Sequence, residues 1–212
     1  MNASQEFDFS AELAAARNMK ARTMGWILTI FGAVGFAGSF ALTLEKFLKL
    51  ANPDHVAGCS INIFLDCADA MASAQGAVLG FPNPVIGVAV FPIVATLGVV
   101  VIAGGTLPKW IWRSLLVGTT IGAGFIVFLM YTSIHTLARL CPYCMVVWAA
   151  MIPLFWYQLV HAIQEGLLPV GDKVKGFVVK NRNLIVPLFY VAVVVWIAIG
   201  MGPVISAYLN TK

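Results

Sequence analysis

Charge is what this sequence has least of. Asp, Glu, Lys and Arg make up 10% of its 212 residues, against about 25% in an average soluble domain. So few charges cannot cover a water-facing surface, so a soluble globular fold is excluded and lipid must solvate most of the chain. The scarcity is also local. The stretches Thr23–Leu44, Ala70–Pro108, Ser114–Ala138, Leu140–Gln164 and Asn183–Thr211 contain none of the four residue types. Ion and proton pathways usually need ionisable groups inside the bilayer. Their absence argues against the rival reading, a non-catalytic transporter subunit stapled by two structural disulfides. The net charge of +4 is then a signal of orientation in a membrane, with no nucleic-acid partner implied.

Each uncharged stretch is long enough to span, since a crossing helix needs about 20 apolar residues. The expected fold is an all-α integral membrane protein, a four-helix bundle plus a fifth transmembrane helix. The helices are expected near residues 25–45, 84–104, 113–136, 141–163 and 184–208. No stretch resembles a cleaved signal peptide, because the first apolar run is too long and begins well inside the chain. Residues 1–22 read as a cytoplasmic segment, with a short surface helix through Ala11–Met19. Residues 23–163 read as the main bundle with an outer loop at 46–83, and 164–212 as a cytoplasmic linker and the fifth helix.

Basic residues accumulate on the cytoplasmic side of a bilayer. With the N-terminus inside, nine of the 13 basic residues fall inside: Arg17, Lys20, Arg22, Lys109, Arg113, Lys173, Lys175, Lys180 and Arg182. Only Lys46, Lys49, Arg139 and Lys212 fall outside. Five crossings then put the C-terminus outside. The long outer connection, 46–83, is the exception among short ones, and long connections in compact proteins usually carry function.

Cysteine is also scarce, and its four copies are grouped. Cys59 and Cys67 lie in the outer loop, and Cys141 and Cys144 form a C-x-x-C where the fourth span begins. Counting crossings puts both pairs on the same, outer face, where disulfides persist. A helix start is a reactive setting. Residues three apart share a helix face, within disulfide reach. The positive end of the helix dipole stabilises a thiolate. Pro142 suits the first helical turn. A metal centre is disfavoured by spacing, since seven residues separate Cys59 from Cys67 where zinc sites favour close pairs.

The order Cys59-x7-Cys67, then Ser73, then Asn83-x-x-x-Gly87, then Cys141-Pro142-Tyr143-Cys144 resembles the vitamin K epoxide reductase family, in its bacterial form. The unrelated bacterial disulfide generator has its C-x-x-C in the first loop, the reverse order. The resemblance covers residues 24–163. It implies a bundle around a quinone, menaquinone or ubiquinone, and a relay of electrons. A partner thiol attacks at Cys59, Cys67 then attacks Cys141, and Cys144 faces the quinone. It implies that Asn83, Ser73 and Trp148 contact the quinone. The human-type enzyme carries Tyr four residues after the second C-x-x-C cysteine, where this chain has Trp148, so the hydroxyl is replaced by an indole. Many bacterial relatives continue into a fused thioredoxin-like domain. This chain stops at Lys212, so the expected partner is a separate thioredoxin-like (DsbA-like) protein.

Several other residues have plain structural readings. Asn83 and Ser73 suit helix or turn caps. Gly32, Gly35 and Gly38, and Gly118 with Gly122, are expected at close helix contacts. Pro92, Pro153 and Pro187 fall inside spans. Asp66 disfavours a thiolate on Cys67. His135 is an interfacial residue that could tune a thiol, and Ile61, Ile63, Phe64 and Leu65 could cap the bundle.

Overall fold

The computed structural model describes residues 19–61 and 64–210, without the side chains of residue 205 and residues 207–210. The expected surface helix at Ala11–Met19 and the role of Ile63 fall almost entirely outside these residues. Five helices are long and apolar enough to cross a membrane, and the protein is an all-α integral membrane protein. In chain order the helices are α1 (Ala21–Ala51), α2 (Cys67–Ala72), α3 (Pro84–Ile102), α4 (Lys109–Tyr131), α5 (Pro142–Gln164) and α6 (Asp172–Asn210). A 3-10 turn, Ala74–Ala77, follows α2, and a π turn, Thr132–Thr136, continues α4.

α1 is the central strut, packing on both α3 and α5. Glycine permits the close approach to α3. A Cβ on Gly32 would lie 2.9 Å from the Ala95 backbone nitrogen, and one on Gly87 would lie 2.8 Å from Ser39 Cβ. Gly35 faces Phe91 in the same way, and Gly38 faces Val147 on α5. Gly118 differs from expectation. A Cβ there meets nothing within 4 Å, and the residue borders a cavity. Its sequence partner Gly122 lines the same cavity but also packs, against Met151.

Hydroxyls inside the spans are satisfied locally, as an apolar solvent demands. Thr43 Oγ1 donates to Ser39 O at 2.8 Å, and Thr96 Oγ1 donates to Pro92 O at 2.8 Å. Pro92 and Pro153 lie inside α3 and α5, and Pro187 and Pro203 inside α6.

Two helices run further than the apolar stretches that announced them. α1 has 31 residues, about 46 Å of helix, against about 30 Å of hydrocarbon. α6 starts at Asp172 rather than near 184 and so includes Lys173, Lys175, Lys180 and Arg182. Polarity marks where a helix leaves lipid, and a helix can continue through water. α6 lies against α5 and the π turn. Tyr190 donates to Ala149 O at 2.7 Å, and Trp196 Nε1 donates to His135 Nε2 at 2.9 Å.

α3 packs on α1, and α4 packs on α5. The connection Ala103–Pro108 lets α3 and α4 splay. Between them lies a cavity of about 950 Å³. Val90 and Ile93 on α3, and Trp110 and Ile121 on α4, line it and are exposed on the bundle surface. The opening therefore faces sideways, toward lipid.

Candidate active site

The last turns of α1 organise the loop that follows. Glu45 and Lys49 are four residues apart and share a face. Glu45 Oε2 lies 2.9 Å from His55 Nε2, and Glu45 Oε1 accepts the Gly58 N–H at 3.1 Å. Lys49 Nζ donates to the carbonyls of Pro53 at 2.7 Å and His55 at 2.9 Å. Gly58 precedes Cys59, so the helix extension fixes the approach of the first cysteine.

The second cysteine is placed by its neighbours. Asp66 caps α2 by accepting the Ala68 N–H at 2.9 Å, as acidic caps do. It also accepts from the Ser60 hydroxyl and pairs with Arg139 Nη1 at 3.2 Å. Arg139 Nε reaches Asp69 at 2.8 Å. Partial burial raises the Asp66 carboxyl, but Ser60, Ala68 and Arg139 outweigh it and hold the group below the usual carboxylate range. Asp66 thus has a mechanical role in placing Cys67 beside the electrostatic one expected from the sequence.

A backbone bridge completes the arrangement. The Asp66 N–H donates to Leu140 O at 2.9 Å, and the Leu140 N–H donates to Phe64 O at 2.8 Å. This parallel bridge between Leu65 and Leu140 sits directly before Cys67 and Cys141. The π turn delivers Leu140 to it. Ser133 Oγ donates to Arg139 O at 2.6 Å, and the Arg139 N–H donates to Ser133 O at 3.1 Å. Ala138 takes a left-handed φ of 50°, a conformation costly for any residue but glycine.

The four sulfurs follow from this scaffold. Cys59 and Cys67 form a disulfide. Cys141 and Cys144 are free thiols in this state. Cys67 Sγ lies 2.9 Å from Cys141 Sγ. Cys141 is the N-cap of α5, and its sulfur accepts the Cys144 N–H at 3.3 Å. Its thiol is held below its ordinary value by the Cys144 thiol, against the opposing effect of burial, with help from the Cys144 and Tyr143 N–H groups. The sulfurs of Cys59, Cys67 and Cys141 lie within 4.8 Å of one another. Two of them are bonded together, whereas a metal ligates thiolate.

Cys59, Cys67 and Cys141 are buried in their own apolar cluster with Leu42, Ala57 and Met71. Cys144 lies beside that cluster and also lines the cavity. Ser73, Asn83 and Trp148 line the cavity too, so the residues singled out by sequence border one cavity. Their roles are partly structural. Ser73 Oγ donates to Ala70 O at 2.9 Å and accepts the Gly76 N–H at 3.0 Å, capping the 3-10 turn. Asn83 precedes α3 but does not cap it. Its Oδ1 accepts the Val78 N–H at 3.0 Å, and its Nδ2 donates to Gln75 O at 2.6 Å. His135 is exposed and engaged with Trp196 and Tyr131.

Sequence reasoning missed Arg139, Lys46 and the Leu65–Leu140 bridge. A usable signal existed for the first. Acidic residues flank Cys67 at positions 66 and 69, and a basic residue stands two before Cys141. Complementary charge beside two cysteines is what a docking contact between them requires.

No curated protein matches the chain. The model of the vitamin K epoxide reductase family matches residues 26–159, which span four of the long helices and both cysteine pairs. With more than half of its length matched, the chain belongs to the vitamin K epoxide reductase family of membrane oxidoreductases.

Proposed function

We propose that this protein is a quinone-dependent thiol–disulfide oxidoreductase that supports disulfide bond formation. It oxidises a separate extracytoplasmic thioredoxin-like protein and passes the electrons through its two cysteine pairs to a membrane quinone, menaquinone or ubiquinone. The redox bundle is residues 23–163, with the fifth helix as an addition. The observation that carries the reading is the order of the sulfurs. Cys59 is bonded to Cys67, Cys67 touches Cys141 at 2.9 Å, and Cys144 stands beside an apolar cavity.

The steps balance as thiol–disulfide exchange. A partner thiolate attacks Cys59 and releases Cys67, and the partner's second thiol resolves the mixed disulfide. Cys67 attacks Cys141 of an oxidised C-x-x-C and releases Cys144. Cys59 then closes the loop disulfide and frees Cys141. The C-x-x-C gives up two electrons and two protons as its disulfide re-forms, and the quinone takes up both. A closed loop pair beside a reduced C-x-x-C is the state just before quinone reduction. The lowered thiol of Cys141 suits the sulfur that is exchanged. A largely apolar cavity with polar groups at its cysteine end suits a ring with an isoprenoid tail.

Cys59 is 3% exposed, so the partner's thiol reaches it only when the loop lifts. The loop's polar ties to Glu45, Lys49 and Arg139 are reversible. The distribution of basic residues supports an extracytoplasmic cysteine end, with Lys20, Lys109, Arg113 and Lys175 near the other.

The test is Cys144→Ser. It abolishes quinone reduction by a reduced thioredoxin-like protein while leaving the loop disulfide able to exchange with that protein. Turnover near the unaltered rate would sink the reading.

A further inference from the structure

Among the described residues lining the cavity, Lys46 alone carries a formal charge. We infer that Lys46 is a ligand of the quinone oxygen and stabilises the negative charge that gathers there as electrons arrive. The inference rests on the quinone reading above and names the group that does the electrostatic work.

The other polar groups of the cavity, the Gln75 amide and the Trp148 indole among them, are neutral. The single hydroxyl proton of Ser73 goes to Ala70 O. Thr132 and Ser133 donate to Phe128 O at 3.1 Å and Arg139 O at 2.6 Å. Asn83 donates one amide hydrogen to Gln75 O, which leaves one. Lys46 has three donors. One goes to Met71 O at 2.7 Å, and that bond anchors the head group at the cysteine end of the cavity. Two remain.

The chemistry needs such a group. Cys141 and Cys144 lose two electrons and two protons together, and the quinone becomes a quinol. Between arrival of the electron pair and of the last proton, an oxygen carries negative charge. A preoriented cation beside an apolar cavity stabilises that charge far more than it would in water. The neutral quinone gains less, so the effect falls on turnover more than on binding.

The test compares the unaltered protein with Lys46→Gln and Lys46→Arg, using a short-chain naphthoquinone and its hydroxy derivative, which is an anion at neutral pH. In Lys46→Gln, kcat falls roughly 100-fold, the loss typical of one oxyanion donor, while KM moves by no more than about threefold. Arg recovers most of the rate. Binding, read by quenching of tryptophan fluorescence, weakens about 10- to 100-fold for the anion, as for one hydrogen bond to a charged group. It stays nearly unchanged for the neutral parent. A kcat within about twofold of the unaltered protein overturns the inference. So does an equal loss of affinity for both ligands, because Lys46 would then only brace Met71. If the unaltered protein binds and reduces no quinone although its cysteine pairs exchange, the functional reading falls and this inference falls with it.

Discussion

Cys67 Sγ stands 2.9 Å from Cys141 Sγ while bonded to Cys59. The two cysteines are 74 residues apart in sequence. What joins them is a single backbone bridge, Leu65 to Leu140, with Arg139 reaching across to Asp66 and Asp69.

That contact makes the mixed disulfide a product that can be trapped. Cys59→Ser with Cys144→Ser removes both resolving thiols. The Cys67–Cys141 bond should then accumulate under mild oxidation without added partner. Protease digestion and non-reducing mass spectrometry will detect the linked peptides. A double variant holding only free thiols would mean that the pairs do not communicate.

The ion pairs should set the rate of that trapping. The Arg139 side chain is 38% exposed, so each pair contributes on the order of 0.2–1 kcal/mol. Arg139→Ala should slow cross-linking about three- to tenfold in the trapping background, with Arg139→Lys between. An unchanged rate in Arg139→Ala would leave the backbone bridge as the sole positioning device.

Acid should release the same clamp. A carboxyl depressed in the folded state contributes stability that is complete above its ordinary pKa and is lost as pH falls through the folded value. Asp66 is such a group. The stability difference between the unaltered protein and Asp66→Asn should be about 2 kcal/mol near neutral pH. It should close as pH drops below about 4. Thermal unfolding in detergent at several pH values reads this directly. A difference that persists unchanged into strong acid would show that ionised Asp66 contributes nothing.

Two glycines should respond in opposite ways. Gly87→Ala drives a Cβ to within 2.8 Å of Ser39 Cβ at the α1–α3 contact, and overpacking of this kind costs about 1–3 kcal/mol. Gly118→Leu points into open space at the cavity wall. It should leave Tm nearly unchanged and raise KM for quinone. Equal losses of Tm in both would mean that the cavity wall is packed after all.

Orientation can be read from the surface. Val56 is 75% exposed in the loop, whereas the native cysteines there are buried. An impermeant maleimide should label Val56→Cys on intact cells, and should spare Lys109→Cys and Lys175→Cys. Labelling of the latter two from outside would invert the topology.

The sequence carried some of this plainly and some of it not at all. The start of α5 was legible because Pro142 suits a first turn and an uncharged run follows Arg139. Family order singled out Cys144, Ser73, Asn83 and Trp148, which all line one cavity, while the hydrogen bonds that occupy Ser73 and Asn83 left no mark in the sequence. Arg139 could only be counted as a charge, since its partners lie about 70 residues away and pairing at that range leaves no periodic trace. The start of α6 was placed too late because a helix shows its lipid-facing part in hydropathy and hides its aqueous turns. Gly118 and Gly122 look alike along the chain and both line the cavity, and only the position of Met151 on α5 makes the second a packing glycine as well.

The burial of the loop disulfide has a consequence for fidelity. A membrane oxidant that displayed its disulfide would be short-circuited by any small thiol drifting past, draining the quinone pool without oxidising a protein. Here such a molecule meets Leu42, Ala57 and Met71 rather than sulfur. Under the proposed function, a visitor large enough to grip the loop and peel it back from Glu45, Lys49 and Arg139 would complete the circuit. On that reading the cover over Cys59 would act as an insulator and make the current selective.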